Sequence, residues 1–97
     1  MHIRFSTLGK HLSTRRDGAV MREKIARGIE EKQWIELDFD GVEVISNSFA
    51  DECFAKLMFD YDLPTVKSST TFKNASPFIK AVIANSFKER LHTMHMA

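Results

Sequence analysis

The stretch from Trp34 to Leu57 constrains the fold more than any other part of the chain, because its hydrophobic period changes partway along. Ile35, Leu37 and Phe39 alternate with Glu36, Asp38 and Asp40, a period of two that predicts a strand with one buried and one wet face. Further on, Ala50, Cys53, Phe54, Leu57, Met58 and Tyr61 recur at helical spacing and form one apolar stripe. Between these patterns lies the hydroxyl-rich turn Ser46-Asn47-Ser48, at the predicted helix start. Unpaired backbone N–H groups point outward at such a place, so function tends to gather there.

The flanking segments supply the rest of an alternating pattern. Ile3 to about Leu8 reads as a short edge strand and Gly9 to Ser13 as a loop. Thr14 with Asp17 forms a capping box that starts a helix running to about Lys32, with Met21, Ile25 and Ile29 on its inner face. Gly18 and Gly28 each cost that helix about 1 kcal/mol relative to alanine, so tertiary packing must hold it. Ser48 with Asp51 reads as a second capping box, placing the next helix over Ser48 to Tyr61, with Leu63-Pro64 as its stop. Thr65 to Phe72, rich in β-branched residues, reads as a returning strand with Val66 inward. Ser76-Pro77 starts a last helix that buries Phe78, Ile79, Val82, Ile83, Phe87 and Leu91, and residues 92–97 are expected to fray.

This order, β-α-β-α-β-α, predicts a single α/β domain over residues 1–97 with right-handed crossovers and a mostly parallel or mixed sheet. The charged outer positions Glu36, Asp38 and Asp40 imply that helices pack mainly on one face. Leu37, Phe39, Phe54, Leu57, Val82 and Ile83 are expected to share one core. Trp34 and Phe49 fall off their stripes, so each reads either as a boundary core residue or as part of a partner-binding patch.

Bulk composition narrows the function classes. A formal net charge of +1 provides no field for steering toward nucleic acid or an anionic membrane, so neither is expected as a partner. No apolar run approaches the roughly 20 residues of a membrane helix, and no secretory h-region is visible, so a cytoplasmic protein is expected. The single cysteine, Cys53, sits on an apolar stripe and reads as a small buried hydrophobe. Asp38, Asp40, Glu43, Asp51 and Glu52 read as a solvated acidic set, and His2, His11, His92 and His95 lack the partners of a zinc site. The chain contains no nucleophile elbow, zinc-protease, dinucleotide or P-loop pattern. Neither catalytic residues, a cofactor nor a metal is expected.

The segment Leu37 to Glu52, reading LDFDGVEVISNSFADE, resembles the STAS domains of anti-sigma factor antagonists, and most closely a short STAS-like branch. A second family-like patch is Leu12-Ser13-Thr14-Arg15-Arg16. The resemblance extends from about Phe5 to Arg90, with these two patches its specific parts. It implies a small regulatory domain that binds another protein, such as an ATP-binding anti-sigma-type kinase or regulator, in bacterial signalling or transcription control. A homo-oligomer is compatible with it. In those antagonists the matching turn reads Asp-Ser-Ser/Thr-Gly and its first hydroxyl is phosphorylated. Aligned on Val42 to Ile45, that position is Asn47 here, which cannot take a phosphoryl group, leaving Ser46 or Ser48 to substitute.

Ser46, Asn47, Ser48, Phe49 and Asp51 are therefore the candidate partner-binding residues. Thr14, Arg15 and Arg16 are a candidate anion site, because two arginines in a first helical turn oppose the macrodipole. Solvation, or pairing with nearby acids such as Asp17, is the plainer account of them. Two rival functions stay open: an anion- or nucleotide-binding module built on Arg15 and Arg16, and a non-catalytic component of a larger enzyme or toxin–antitoxin-like assembly.

Overall fold

The hydrophobic alternation beginning at Ile35 forms the middle of a three-stranded parallel sheet. In chain order the elements are β1 (His2–Arg4), β2 (His11–Leu12), α1 (Arg15–Glu30), β3 (Ile35–Asp38) and β4 (Val44–Ile45). They continue with α2 (Asn47–Cys53), α3 (Leu63–Ser69), β5 (Thr70–Lys73) and α4 (Pro77–Met96). The computed structural model describes residues 1–96 and the side chains as far as Met94. Strand order is β1-β3-β5, with Ile3 beside Leu37 and Leu37 beside Phe72, while β2 and β4 form a separate parallel pair. Parallel neighbours need crossovers, and α1 together with the α2–α3 segment supplies them.

Along β3, Ile35 and Leu37 are buried, whereas Glu36 and Asp38 lie half-buried on the opposite face. There Glu36 pairs with Lys73 at 3.3 Å, and Asp38 accepts from Asn74 Nδ2 at 3.0 Å and contacts His2 Nε2 at 2.8 Å. The core gathers Leu37, Phe39, Phe54, Leu57 and Ile83 into one cluster as expected, with Val82 only partly buried against it. Phe5 and Phe39 stack at 4.4 Å between ring centroids.

α1 follows its cap: the Thr14 hydroxyl accepts from the Asp17 N–H at 3.1 Å, and Met21, Ile25 and Ile29 are buried. Its glycines are contact points. A Cβ on Gly18 would lie 3.0 Å from the Phe49 carbonyl oxygen and from Glu52 Cβ, and one on Gly28 would lie 2.7 Å from Ile35 Cδ1. At Gly18 the neighbour is the α2 main chain, which leaves little room for a Cβ, whereas at Gly28 the neighbours are the ends of the Ile35 and Met1 side chains.

Several boundaries differ from the sequence reading. The first strand ends at Arg4, and a 3-10 turn at Phe5–Leu8 drops Phe5 into the core. His11–Leu12, expected as loop, pairs with β4. The helix expected over 48–61 is α2 followed by a 3-10 turn at Ala55–Phe59, yet its stripe residues Phe54, Leu57 and Met58 are still buried. Leu63-Pro64 starts a helix instead of stopping one. Asp62 Oδ1 accepts from the Thr65 N–H at 2.9 Å, and proline is tolerated in a first turn, so the cap overrides the β-propensity of the following residues. Val66 is buried as expected, but on α3.

In α4 the Ser76 hydroxyl accepts from the Ile79 N–H at 3.1 Å. Ile79 and Ile83 are buried, but Phe78, expected in the core, is 53% exposed because it sits on the outer side of the first turn. The helix continues to Met96, so His92 to Met96 are helical where fraying was expected, and Ala97 lies outside the described residues. No described helix is long and apolar enough to cross a membrane.

Candidate functional site

The β2–β4 pairing brings the two sequence patches together. With His11 beside Val44 and Leu12 beside Ile45, the chain leaves both strands at the same edge, and the N-termini of α1 and α2 emerge side by side. Ser46 joins them: its N–H donates to the Leu12 carbonyl at 2.9 Å and its hydroxyl to the Ser13 carbonyl at 3.1 Å. The same hydroxyl oxygen accepts from the Phe49 N–H at 3.0 Å, so Ser46 is the α2 N-cap. This corrects the assignment of that role to Ser48, which is exposed in the first turn. A cap must precede the helix in extended backbone, and Ser46, the residue immediately after β4, has that geometry.

α2 packs between α1 and α4 and is locked to both by ion pairs. Arg15 Nη1 lies 2.9 Å from Asp51 Oδ2 and 3.2 Å from Glu52 Oε1. Arg90 of α4 donates to both oxygens of Asp51, from Nε at 3.0 Å and from Nη2 at 2.5 Å. Glu52 also receives Arg22 at 2.6 Å and Lys56 at 2.9 Å. Burial pushes the Glu52 carboxyl up, but hydrogen bonds from Arg22, Lys56 and Arg15 outweigh that effect and hold it down at about 2. Asp51 shows the same contest, with Arg90 and Arg15 overcoming desolvation to lower its pKa. The position of Arg15 against its own helix dipole thus has an internal cause: two carboxylates on the neighbouring helix.

The predicted site residues separate into three groups. Phe49 is fully buried and belongs to the core, which corrects its placement at the rim of an interface: the first turn of α2 faces inward, onto Phe5 at 6.2 Å between ring centroids. Ser46, Thr14, Arg15 and Asp51 are engaged in caps or ion pairs. Asn47, Ser48 and Arg16 are exposed, and among the described residues their side chains make no hydrogen bond or ion pair.

Asn47 and Ser48 line a shallow depression of about 320 Å³ with Arg15, Asp51, Glu89, Arg90 and Thr93. The α4 members escaped the sequence reading, since nothing in their local pattern sets Glu89, Arg90 and Thr93 apart from an ordinary polar helix face. The depression mixes two guanidinium groups with two carboxylates, so it offers directed donors and acceptors and no net field. Arg16 stands outside it. Cys53 is fully buried, and desolvation pushes its thiol pKa well up, an environment that suppresses the thiolate. Trp34, at 54% exposure, lies before β3, away from this edge.

Among curated proteins and among solved structures, nothing matches this chain. A family model described as a STAS-like domain of unknown function matches residues 17–80. That span includes the Ser46–Asp51 turn and begins just after the Leu12–Arg16 patch. More than half of the chain is covered, with parallel strands and intervening helices of the α/β kind: the chain belongs to this STAS-like family.

Proposed function

We propose that the protein is a non-catalytic regulatory domain that binds another protein through the edge formed by Asn47, Ser48 and the α4 residues Glu89, Arg90 and Thr93. The observation that carries this reading is the exposure of Asn47 and Ser48, side chains uncommitted within the described residues, on a helix fixed on both flanks by Arg15–Asp51 and Arg90–Asp51 pairs. Such a platform presents polar groups in one geometry, which lowers the ordering cost of association. The STAS-like membership supports a signalling or transcription-control setting in a bacterial cytoplasm, with an anti-sigma-type ATP-binding regulator as the kind of partner.

Control by phosphate at this edge would fall on Ser48. Asn47 has no hydroxyl, and the Ser46 hydroxyl is already used in capping α2 and in donating to Ser13. The anion-binding alternative is the weaker one, because Asp51 and Glu52 already compensate Arg15.

Affinity capture from the native host, followed by calorimetric titration of the captured partner, tests the reading. Asn47→Ala and Ser48→Ala should each weaken binding about tenfold or more while leaving the melting temperature nearly unchanged. Wild-type affinity in both variants would move the interface elsewhere.

A further inference from the structure

α4 carries a second face that the polar edge does not use. Ile83, Phe87 and Leu91 point from it into a groove, and Lys80, Ala84 and Lys88 follow one another at four-residue intervals along its lip. Leu63, Val66 and Lys67 of α3 and Phe72 of β5 stand opposite. The groove is open along one side, its volume of about 480 Å³ is within the range of small-molecule sites, and its floor is the core itself at Leu37, Phe54 and Leu57.

Shape and charge together define the occupant. The lining runs along α4 from Lys80 to Leu91, roughly 16 Å of helix, a length that an extended long alkyl chain can follow. An alkyl chain lying in such a slot meets apolar side chains along its whole length. The lip has one sign of charge. Lys67, Lys80 and Lys88 are exposed, no lining residue is acidic, and none of the three lysines has an ion-pair partner among the described residues.

We propose that this groove binds a long-chain fatty carboxylate, its alkyl chain lying along α4 against Phe54, Ile83 and Phe87 and its carboxylate at the lysine lip. The site is on a different face of α4 from Glu89, Arg90 and Thr93, so it stands or falls separately from the protein-binding edge.

Calorimetric titration of the full chain with octanoate, decanoate and dodecanoate, below their micelle concentrations, tests the assignment. Each added pair of methylenes should tighten binding roughly tenfold while the chain still fits the groove. Ala84→Trp fills the groove from an exposed lip position and should abolish binding. Lys80→Glu with Lys88→Glu, both on the surface, should weaken dodecanoate binding about tenfold and leave dodecanol binding unchanged. Asn47→Ala should have no effect on either ligand.

A flat dependence on chain length, equal binding of dodecanol and dodecanoate, or dodecanoate binding that survives Ala84→Trp would overturn the proposal. So would a concentration-dependent dimer in sedimentation that Ala84→Trp dissociates, since the occupant would then be a second copy of the chain. If Ala84→Trp fails to fold, the lysine double variant and the chain-length series still decide.

Discussion

Arg22 on α1 donates from Nη1 both to the Glu52 carboxylate, at 2.6 Å, and to the Glu52 carbonyl oxygen on α2. One guanidinium therefore satisfies a side chain and a main-chain acceptor of the same residue, at a place where Glu52 is only 8% exposed. A buried carboxylate is tolerated there because Lys56 and Arg15 complete its shell. The outcome is a helix of only seven residues held in a single orientation, which is what a recognition edge on it requires.

Removing that charge should be costly. Glu52→Gln leaves Arg22 and Lys56 facing a neutral amide in a largely dehydrated setting, and we expect a loss of about 3 kcal/mol in urea denaturation. A change below about 0.5 kcal/mol would mean that the network contributes orientation without stability.

The same carboxylate sets an acid limb. Glu52 and Asp38 are both depressed in the folded state to about 2, the former by its cations against desolvation, the latter by bonds from Asn74, the Asp40 N–H and His2. Between about 2 and 4.5 the unfolded chain binds more protons at these groups than the folded one, so their contribution to stability is present in full above that window and is lost as pH falls through it. Denaturation curves taken from pH 5 down to pH 2 should show this loss, and Glu52→Gln should make the limb shallower. A limb of identical slope in the variant would assign it to other groups.

Gly18→Ala should destabilise although it improves helix propensity by about 1 kcal/mol. The new Cβ would meet the Phe49 carbonyl oxygen at 3.0 Å, a main-chain atom that cannot move without shifting α2. A net loss of about 1–2 kcal/mol is expected, read by thermal melts, whereas Val20→Ala on the exposed side of the same helix should stay within about 0.5 kcal/mol. A stabilised Gly18→Ala would show that the α1–α2 contact is looser than described.

The two serines flanking Asn47 should separate cleanly. Ser46→Ala removes the α2 cap and the link to Ser13, costing about 1 kcal/mol or slightly more, while Ser48→Ala should be close to neutral in stability. The reverse ranking would restore Ser48 as the cap.

Local signals in the sequence determined the elements whose cause lies within a few residues. The alternation from Ile35 to Phe39 marked β3 and its buried face, and Thr14 and Ser76 marked the starts of α1 and α4, because a period or a cap acts between groups at most four positions apart. Where two local readings competed, tertiary structure decided. The cap read at Ser48 falls instead to Ser46, whose N–H and hydroxyl find the Leu12 and Ser13 carbonyls alongside. Asp62 could not be weighed against the β-branched run after it until the chain had to turn back toward β5.

The site itself was the least local feature. Asp51 meets Arg15 from 36 positions away and Arg90 from 39, and Phe49 became core because α2 lays it against Phe5, 44 positions earlier in the chain. Ion pairs and grooves depend on which distant surfaces the parallel strands bring into register, and no period along the chain encodes that distance.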